Sequence, residues 1–384
     1  MNTFITEIPR QCITIDGVCY PASAASPTAG NGRSALQEDF YGKYGKESFH
    51  VSLADFLCEW FDGSDTLRVH TSGSTGTPKE MWVEKKRMMN SAQMTVSFLG
   101  LQAGDTAQLC MPLKYIAGKM VVIRALVAGL NLLPLAPCGH PLEDISQVPV
   151  FSAMIPMQVF NSLQVPEEAE RLAAIRHLII GGGAVDEQVE KTLKDFPHAV
   201  WSTYGMTETL SHIALRRLNG KEASQWYTPF PGIQLSLSPD DTLIIHAPQV
   251  HPKPLVTNDI AVFNPEGQFR IVGRKDNTIN TGGVKVQIEE VEKELAARLS
   301  VPFQITSVPD AKFGEAIVLL TETDNGCPDE VLQEAIHQLP RYWQPRHLVR
   351  IPALPLTETG KADRKTGRQR ATEILQSRTG CSGK

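Results

Sequence analysis

The segment from His70 to Glu80 holds the side chains best suited to chemistry, in the order His-Thr-Ser-Gly-Ser-Thr-Gly-Thr-Pro-Lys-Glu. Hydroxyl groups, backbone N–H groups and a lysine in one short stretch can surround a polyphosphate, because glycine permits the close anion approach that a Cβ would block. The segment separates two strand-like runs, 67–71 and 80–83. We therefore predict a phosphate-binding loop made by Thr71, Ser72, Gly73, Ser74, Thr75, Gly76 and Lys79.

This loop differs from the common nucleotide loop that ends in Gly-Lys-Ser/Thr before a helix. Pro78 separates Gly76 from Lys79, has no N–H to donate and moves Thr77 away from helical angles. From composition alone, an ordinary surface turn rich in glycine, serine and threonine is the alternative. The other motifs of the chain favour the phosphate loop.

Two further segments follow apolar, strand-like runs. The first is the glycine run after 177–180, where a ligand could lie against the backbone at the carboxyl edge of a sheet, although a tight strand–helix turn is the alternative. The second is Tyr204-Gly-Met-Thr-Glu208, which combines a ring that can stack on a purine with a hydroxyl and a carboxylate that can hold Mg²⁺. A Tyr-Gly turn into a helix is its alternative. The candidate residues are Gly181, Gly182, Gly183, Tyr204, Gly205, Thr207 and Glu208.

The order of these motifs resembles that of the acyl-adenylate-forming (AMP-binding) superfamily, which includes acyl- and aryl-CoA ligases, luciferase and peptide-synthetase adenylation domains. The likeness covers about Leu67 to Arg364 and includes the segment Gly273-Arg-Lys-Asp276 and a late Gly360-Lys361. Within the superfamily the chain most resembles the o-succinylbenzoate–CoA ligases of menaquinone biosynthesis. Members usually carry a longer segment before the phosphate loop than this chain does. The shorter segment favours the small catabolic and biosynthetic ligases of the superfamily.

The resemblance implies an enzyme with ATP, Mg²⁺ and coenzyme A as cofactors or co-substrates. A carboxylic acid attacks ATP to give acyl-AMP and pyrophosphate, and coenzyme A then displaces AMP. It implies that glycines 181–183 border the adenine, Tyr204 stacks on it, Thr207 contacts phosphate and Glu208 holds the metal. Another acid, a carrier-protein thiol as acceptor, or a non-catalytic nucleotide-binding relative are the alternatives.

Further roles follow from the resemblance alone. Asp259 stands where the family has Thr-Gly-Asp, here Thr-Asn-Asp, and its carboxylate would accept both ribose hydroxyls, with a turn-capping Asp as the alternative. Arg274 would contact ribose or phosphate, and Asp276 would be the hinge of the C-terminal lobe. Lys361 would enter the ATP site and stabilise charge at the α-phosphate, although a lysine there is otherwise a solvated charge. The pantetheine channel would be lined by Gly282 and Gly283.

The acid-binding residues are suggested by the segment Pro112-Leu-Lys-Tyr-Ile-Ala-Gly-Lys119. Many relatives read Pro-Leu-Phe-His here, so the role of that histidine cannot be transferred to Lys114 and Tyr115. Polar side chains around the pocket would suit an acid with a second carboxylate, and the candidates are Lys119, Tyr115, Ser211 and His212. A Lys119 that begins a helix and points to solvent is the alternative.

The hydrophobic pattern predicts an α/β protein with two lobes. Apolar strands alternate with helices from about 50 to 215, which favours a parallel sheet covered by helices, and short alternating strands over 226–272 indicate a β-rich subdomain. A small α+β lobe follows, and the resemblance implies that it turns on a hinge. We place the adenylation domain at 1–273 and the mobile domain at 274–384, and we expect 21–46 to be irregular.

Size and charge limit the partners. A chain of 384 residues with net charge −5 gives no reason to expect nucleic acid or an anionic membrane. The apolar stretch 120–137 contains Arg124, Asn131 and Gly129, which argues against membrane insertion. We expect a cytoplasmic protein whose partners are a small carboxylic acid, ATP and coenzyme A, and a homodimer stays open.

Overall fold

A computed structural model describes residues 4–26, 32–70, 80–324, 326–357 and 362–381. Its helices are α1 (Ala35–Tyr44), α2 (Phe49–Trp60), α3 (Lys85–Leu99), α4 (Ile116–Ala128), α5 (Pro156–Leu163), α6 (Pro166–Ala174), α7 (Glu187–Leu193), α8 (Ile288–Ala296), α9 (Asp329–His337) and α10 (Arg364–Cys381). None of the helices in these ranges is long and apolar enough to cross a bilayer.

The strands of the first two-thirds of the chain are β1 (Cys12–Ile15), β2 (Val18–Pro21), β3 (Thr66–His70), β4 (Glu80–Glu84), β5 (Thr106–Leu109), β6 (Asn131–Pro134), β7 (Phe151–Met154), β8 (His177–Ile180), β9 (Ala199–Gly205), β10 (His212–Arg217), β11 (Thr228–Pro229), β12 (Gln234–Leu237), β13 (Thr242–His246), β14 (Leu255–Phe263) and β15 (Phe269–Arg274). The remaining strands are β16 (Thr278–Thr281), β17 (Val284–Gln287), β18 (Phe303–Asp310), β19 (Gly314–Glu322) and β20 (His347–Ile351).

The largest sheet of the described chain has the order β11-β10-β9-β8-β7-β5-β6-β1-β2. Neighbours from β9 to β1 are parallel, whereas β10, β11 and β2 add antiparallel edges. This confirms the predicted parallel sheet. Since Ile180 pairs with Ser202, the loops that leave β8 and β9 lie side by side at the carboxyl edge of the sheet.

Helix α4 is a core helix that packs between this sheet and α3. All residues from Gly118 to Ala128 are buried, including the charged Lys119 and Arg124. A helix that is apolar around nearly all of its circumference belongs inside a protein. The two buried cations therefore need partners within the fold.

Strands β3 and β4 form a separate antiparallel hairpin whose last pair is His70 with Glu80. The predicted phosphate loop, 71–79, connects them and lies outside the described residues. His70 also forms an isolated parallel bridge with Tyr115, the residue that precedes α4. The ends of the loop are therefore held against the beginning of α4.

The β-rich subdomain is a four-stranded antiparallel sheet with the order β12-β13-β14-β15, which confirms the predicted pattern. One element differs, because Thr228–Pro229 joins the edge of the main sheet as β11. Beyond it, β16 to β20 form a mixed sheet covered by α8, α9 and α10. The boundary after Gly273 stays a prediction.

The expectation that 21–46 is irregular is wrong for its second half, because α1 lies there. Ser34 accepts a hydrogen bond from the Gln37 N–H, and the Gln37 side chain accepts one from the Ser34 N–H. This capping box satisfies two otherwise unpaired donors at the start of the helix. The first half is also partly ordered, since β2 ends at Pro21 and a 3₁₀ turn follows. Residues 27–31 lie outside the described part.

Candidate functional site

Three predicted nucleotide contacts meet at one carboxylate. The Tyr204 hydroxyl donates to Oδ2 of Asp259 at 2.7 Å, and the Arg274 guanidinium donates to Oδ1 at 2.9 Å. Asp259 and Arg274 are directly opposite each other in the β14–β15 ladder, whereas Tyr204 comes from the end of β9 in the other sheet. The structure therefore joins residues that are far apart in sequence.

The surroundings fix the orientation of Tyr204. Its ring packs edge-on against Phe269 with centroids 5.1 Å apart and lies 5.9 Å from the ring of Tyr227. Burial and the charge of Asp259 raise the pKa of Tyr204 far above its usual value, so the hydroxyl stays protonated and acts as a donor. Asp259 retains free lone pairs on both oxygens, as a contact to ribose hydroxyls requires.

At two positions beside this group a Cβ would make a close contact, with a side chain at Gly181 and with backbone at Gly205. A Cβ on Gly181 would lie 2.5 Å from Oγ1 of Thr203, on the adjacent strand. A Cβ on Gly205 would lie 2.3 Å from the Ser211 carbonyl oxygen and 2.5 Å from Cα of His212. The backbone of β9 therefore contacts the start of β10 closely. Gly182, with φ +85°, has a backbone conformation that also favours glycine, whereas a Cβ on Gly183 would meet only Pro156 at 3.8 Å.

Thr207 and Glu208 lie in a single 3₁₀ turn, Thr207–Thr209, between β9 and β10. The predicted alternative of a helix at this point is wrong, because the chain enters β10 at His212. Thr207 is buried and Glu208 is half-buried. Within the described ranges no cluster of three His, Cys, Asp or Glu side chains could hold a metal. A lone carboxylate nevertheless suits Mg²⁺, which takes one or two carboxylates and completes its shell with phosphate oxygens and water.

Sequence reasoning did not assign Arg124 to the site. It lies on α4, is 2% exposed, and its Nη2 donates to the Ser211 hydroxyl at 2.6 Å. Among the described residues its Nε has no hydrogen-bond partner, and burial lowers the pKa of this guanidinium to about 9. The sequence feature that could have identified Arg124 is a single cation in the middle of an apolar run, because a buried charge needs an anionic or hydrogen-bonding partner.

Ser211 and His212 continue from Arg124 as a hydrogen-bonded group. Nδ1 of His212 is 3.3 Å from the Ser211 hydroxyl, and Nε2 is 3.0 Å from the hydroxyl of Thr95 on α3. His212 is 6% exposed, and burial together with the charge of Arg124 lowers its pKa well below 6.5. The imidazole is therefore neutral, and Arg124 is the cation of the group. The role of Ser211 and His212 in binding the acid stays a prediction.

Lys119 lies elsewhere. Its Nζ donates to the Arg68 carbonyl at 3.0 Å and lies 3.4 Å from the Glu59 carboxylate, beside a cavity of about 260 Å³. The residue is 7% exposed, so the alternative that it points to solvent is wrong. The structure also does not bring its ammonium to Ser211, because Glu59 already pairs with it and Lys119 is five residues from Arg124 on α4, nearly opposite around the helix.

Tyr115 connects the predicted acid-binding segment with the phosphate hairpin. It precedes α4 and pairs with His70 through the bridge described above. A Cβ on Gly118 would lie 2.5 Å from the Pro112 carbonyl, so α4 begins in direct contact with this segment. The predicted segment is thus adjacent to both the loop ends and the helix that carries Arg124.

The hinge and channel residues lie beyond β15. Asp276 accepts a hydrogen bond from Arg274 at 3.0 Å within a 3₁₀ turn, Lys275–Asn277. Gly282 and Gly283, with φ +60° and +82°, form the two-residue turn between β16 and β17. Positive φ at both central positions favours glycine in such hairpins. Lys361, like the loop residues 71–79, lies outside the described residues.

Comparison with known proteins extends this picture. A family model described as AMP-binding enzyme matches residues 58–249. The probable 2-succinylbenzoate–CoA ligase of Mycobacterium tuberculosis is 26% identical over 343 residues, covering 82% of this chain and 87% of that protein.

Solved structures agree with the fold. The acyl-CoA synthetase (AMP-forming)/AMP-acid ligase II-like protein from Dyadobacter fermentans is 31% identical with a TM-score of 0.57, over 85% of this chain and 95% of that one. The o-succinylbenzoate coenzyme A synthetase of Bacillus subtilis, in complex with ATP and magnesium ion, has a TM-score of 0.63 at 19% identity over 78% of this chain and 68% of that one.

Proposed function

The chain belongs to the family of AMP-binding enzymes and is an AMP-forming acid–thiol ligase, and from this premise we propose that its acid is a dicarboxylate of the 2-succinylbenzoate type. One carboxylate is activated by ATP and transferred to coenzyme A. The other binds the guanidinium of Arg124. The names of the curated relatives support the same acid.

The observation that carries this proposal is the buried Arg124, whose Nη2 donates to the Ser211 hydroxyl and whose Nε has no hydrogen-bond partner within the described part of the chain. An uncompensated charge in the interior costs several kcal/mol, and a carboxylate that accepts hydrogen bonds from it removes most of that cost. A monocarboxylic acid would leave the charge unpaired. The site therefore selects acids with a second negative group.

The position of Arg124 relative to the nucleotide residues supports the geometry. Gly205 follows Tyr204, and its backbone contacts Ser211, the partner of Arg124. Tyr204, Asp259 and Arg274 would hold adenine and ribose on one side of this strand end. The second carboxylate would bind on the other side, and the activated carboxylate would lie between them.

Each remaining residue receives a role in the proposal. Glu208 would hold Mg²⁺, which when bound neutralises charge on the phosphates. The loop 71–79 would bind the leaving pyrophosphate. The domain 274–384 would turn about Asp276 between the two half-reactions. Lys361 would then leave the ATP site, and the thiol of coenzyme A could enter it. Lys361→Ala should then abolish acyl-AMP formation but spare thioester formation from synthetic acyl-AMP, and equal loss of both would contradict the exchange.

A pyrophosphate-release assay with a panel of acids tests the substrate. We expect 2-succinylbenzoate to turn over fastest and at least one of its two monoamides to be slower by about 100-fold, the scale of a lost buried charge pair. Thioester formation with free coenzyme A should accompany it. If simple monocarboxylic acids react as fast as 2-succinylbenzoate, the proposal is refuted. If thioester forms only on a carrier protein, the acceptor is that protein's thiol and not free coenzyme A.

A further inference from the structure

Arg124, Ser211, His212 and Thr95 form one buried chain of polar groups from α4 through β10 to α3. Hydrogen positions in such a chain follow from the donors and acceptors available, since heavy atoms alone do not show them. The guanidinium can only donate, so the Ser211 oxygen accepts from Arg124. The direction of the remaining bonds depends on which ring nitrogen of His212 carries hydrogen.

Thr95 is the group that can fix the tautomer. Its single hydrogen can go to Nε2 of His212, 3.0 Å away, or to the Ser91 carbonyl, 3.4 Å away, and in the second case an Nε2–H would donate to Thr95. The distance to Ser91 is near the limit of a hydrogen bond, which favours donation to the ring. A hydroxyl that donates to Nε2 makes Nε2 an acceptor, and a neutral imidazole must then carry its hydrogen on Nδ1.

This tautomer determines what Ser211 can do. The Nδ1–H would donate to the Ser211 oxygen, 3.3 Å away, which also accepts from Arg124. With both lone pairs used, the hydroxyl of Ser211 has one hydrogen left and no other role in the chain of bonds. The hydrogen is available to a ligand beside Arg124, where the Nε–H, which has no partner among the residues that the structure describes, is a second donor.

We propose that His212 is a positioning residue, held as the Nδ1–H tautomer by Thr95, so that Ser211 donates its hydrogen to the second carboxylate of the acid beside Arg124. The inference rests on the proposed function, because it requires that carboxylate. In the opposite tautomer Nδ1 would accept the Ser211 hydrogen, and the carboxylate would lose one of its donors. Thr95, on another helix, thus contributes to the choice of substrate without touching it.

Replacing Thr95 tests the relay. Thr95→Val keeps the shape of the side chain but removes the donor to Nε2, so the KM for 2-succinylbenzoate should rise by about tenfold, as expected for one hydrogen bond to a charged group. The KM for ATP should not change, kcat should change by less than twofold, and Thr95→Ser should restore the wild-type KM. Thr192→Val is the matched control, because Thr192 also donates to a carbonyl four residues earlier, on α7.

A spectroscopic measurement keeps the test independent of folding. In the full-length enzyme labelled with ¹⁵N-histidine, with His212 assigned by comparison with His212→Gln, Nδ1 should be the protonated nitrogen when 2-succinylbenzoate is bound. A protonated Nε2, or an unchanged KM in Thr95→Val, would overturn the relay. If Arg124→Met discriminates diacid from monoamide as well as wild type does, the proposed function fails instead.

Discussion

Gly205→Ala is the substitution whose consequence follows most directly from the structure. The added Cβ would lie 2.3 Å from the Ser211 carbonyl oxygen, 2.8 Å from its carbonyl carbon and 2.5 Å from Cα of His212. All three are backbone atoms, so no side chain can rotate away. The start of β10 must move by about 1 Å to restore normal contact, and overpacking of this kind costs about 1–3 kcal/mol.

The same movement should reach the acid site. Ser211 accepts from Arg124 at 2.6 Å, and a displacement of about 1 Å takes that contact beyond hydrogen-bond range. We therefore expect the KM for the diacid to rise by about tenfold or more, along with a lower free energy of unfolding in urea. The perturbation thus has one structural cause and two independent readouts.

Gly42→Ala is the control for the Gly205 experiment. Gly42 lies within α1, and a Cβ there would meet nothing within 4 Å. Alanine should stabilise the helix by up to about 1 kcal/mol and leave the KM unchanged. If Gly205→Ala matches wild type in both unfolding free energy and KM, the close contact between β9 and β10 is not real and the reasoning is refuted.

Three other predictions concern single side chains. Tyr204→Phe removes the donor to Asp259 and should raise the KM for ATP several-fold in a pyrophosphate assay, with the KM for the acid unchanged. Burial holds the pKa of His212 below 6.5, so as pH falls through 6.5 the ring takes up a proton in the unfolded chain but not in the folded one. The free energy of unfolding should therefore fall there, by at most about 1.4 kcal/mol per pH unit. His212→Gln should reduce this slope in urea unfolding measured against pH, and an unchanged slope would contradict a buried neutral ring. Lys119→Met should leave the preference for diacid over monoamide intact, whereas a lost preference would return Lys119 to the acid site.

The elements that hold the site were largely predictable from local pattern. Apolar runs such as His177–Ile180 are strands because they are buried on both faces of a parallel sheet, and their length and spacing are visible in the sequence. The order of the motifs predicted the grouping of Tyr204 with Asp259. The capping box at Ser34 was also visible, but it lies in a segment whose composition suggested a loop.

The partners of buried charges were not predictable in this way. Lys119 and Arg124 are both cations in one apolar helix, and only the three-dimensional packing shows that the first meets Glu59 while the second meets Ser211. Sequence reasoning chose Lys119 for the acid because it lies beside the acid-binding segment and could pair with a second carboxylate. Arg124 appeared only as an interruption of an apolar run. Tertiary contacts, which have no local signature, decide between them.

The central claim is that Arg124 binds the second carboxylate, and a cycle that combines a variant with a modified substrate tests it most directly. The measurement is kcat/KM for pyrophosphate release by wild type and Arg124→Met, each with 2-succinylbenzoate and with each of its monoamides. We predict that the kcat/KM of wild type falls by about 100-fold when the non-activated carboxylate becomes an amide. The kcat/KM of Arg124→Met should be nearly the same for the diacid and for that monoamide. An equal loss in both enzymes would show that the carboxylate and the guanidinium do not interact, and would contradict the account.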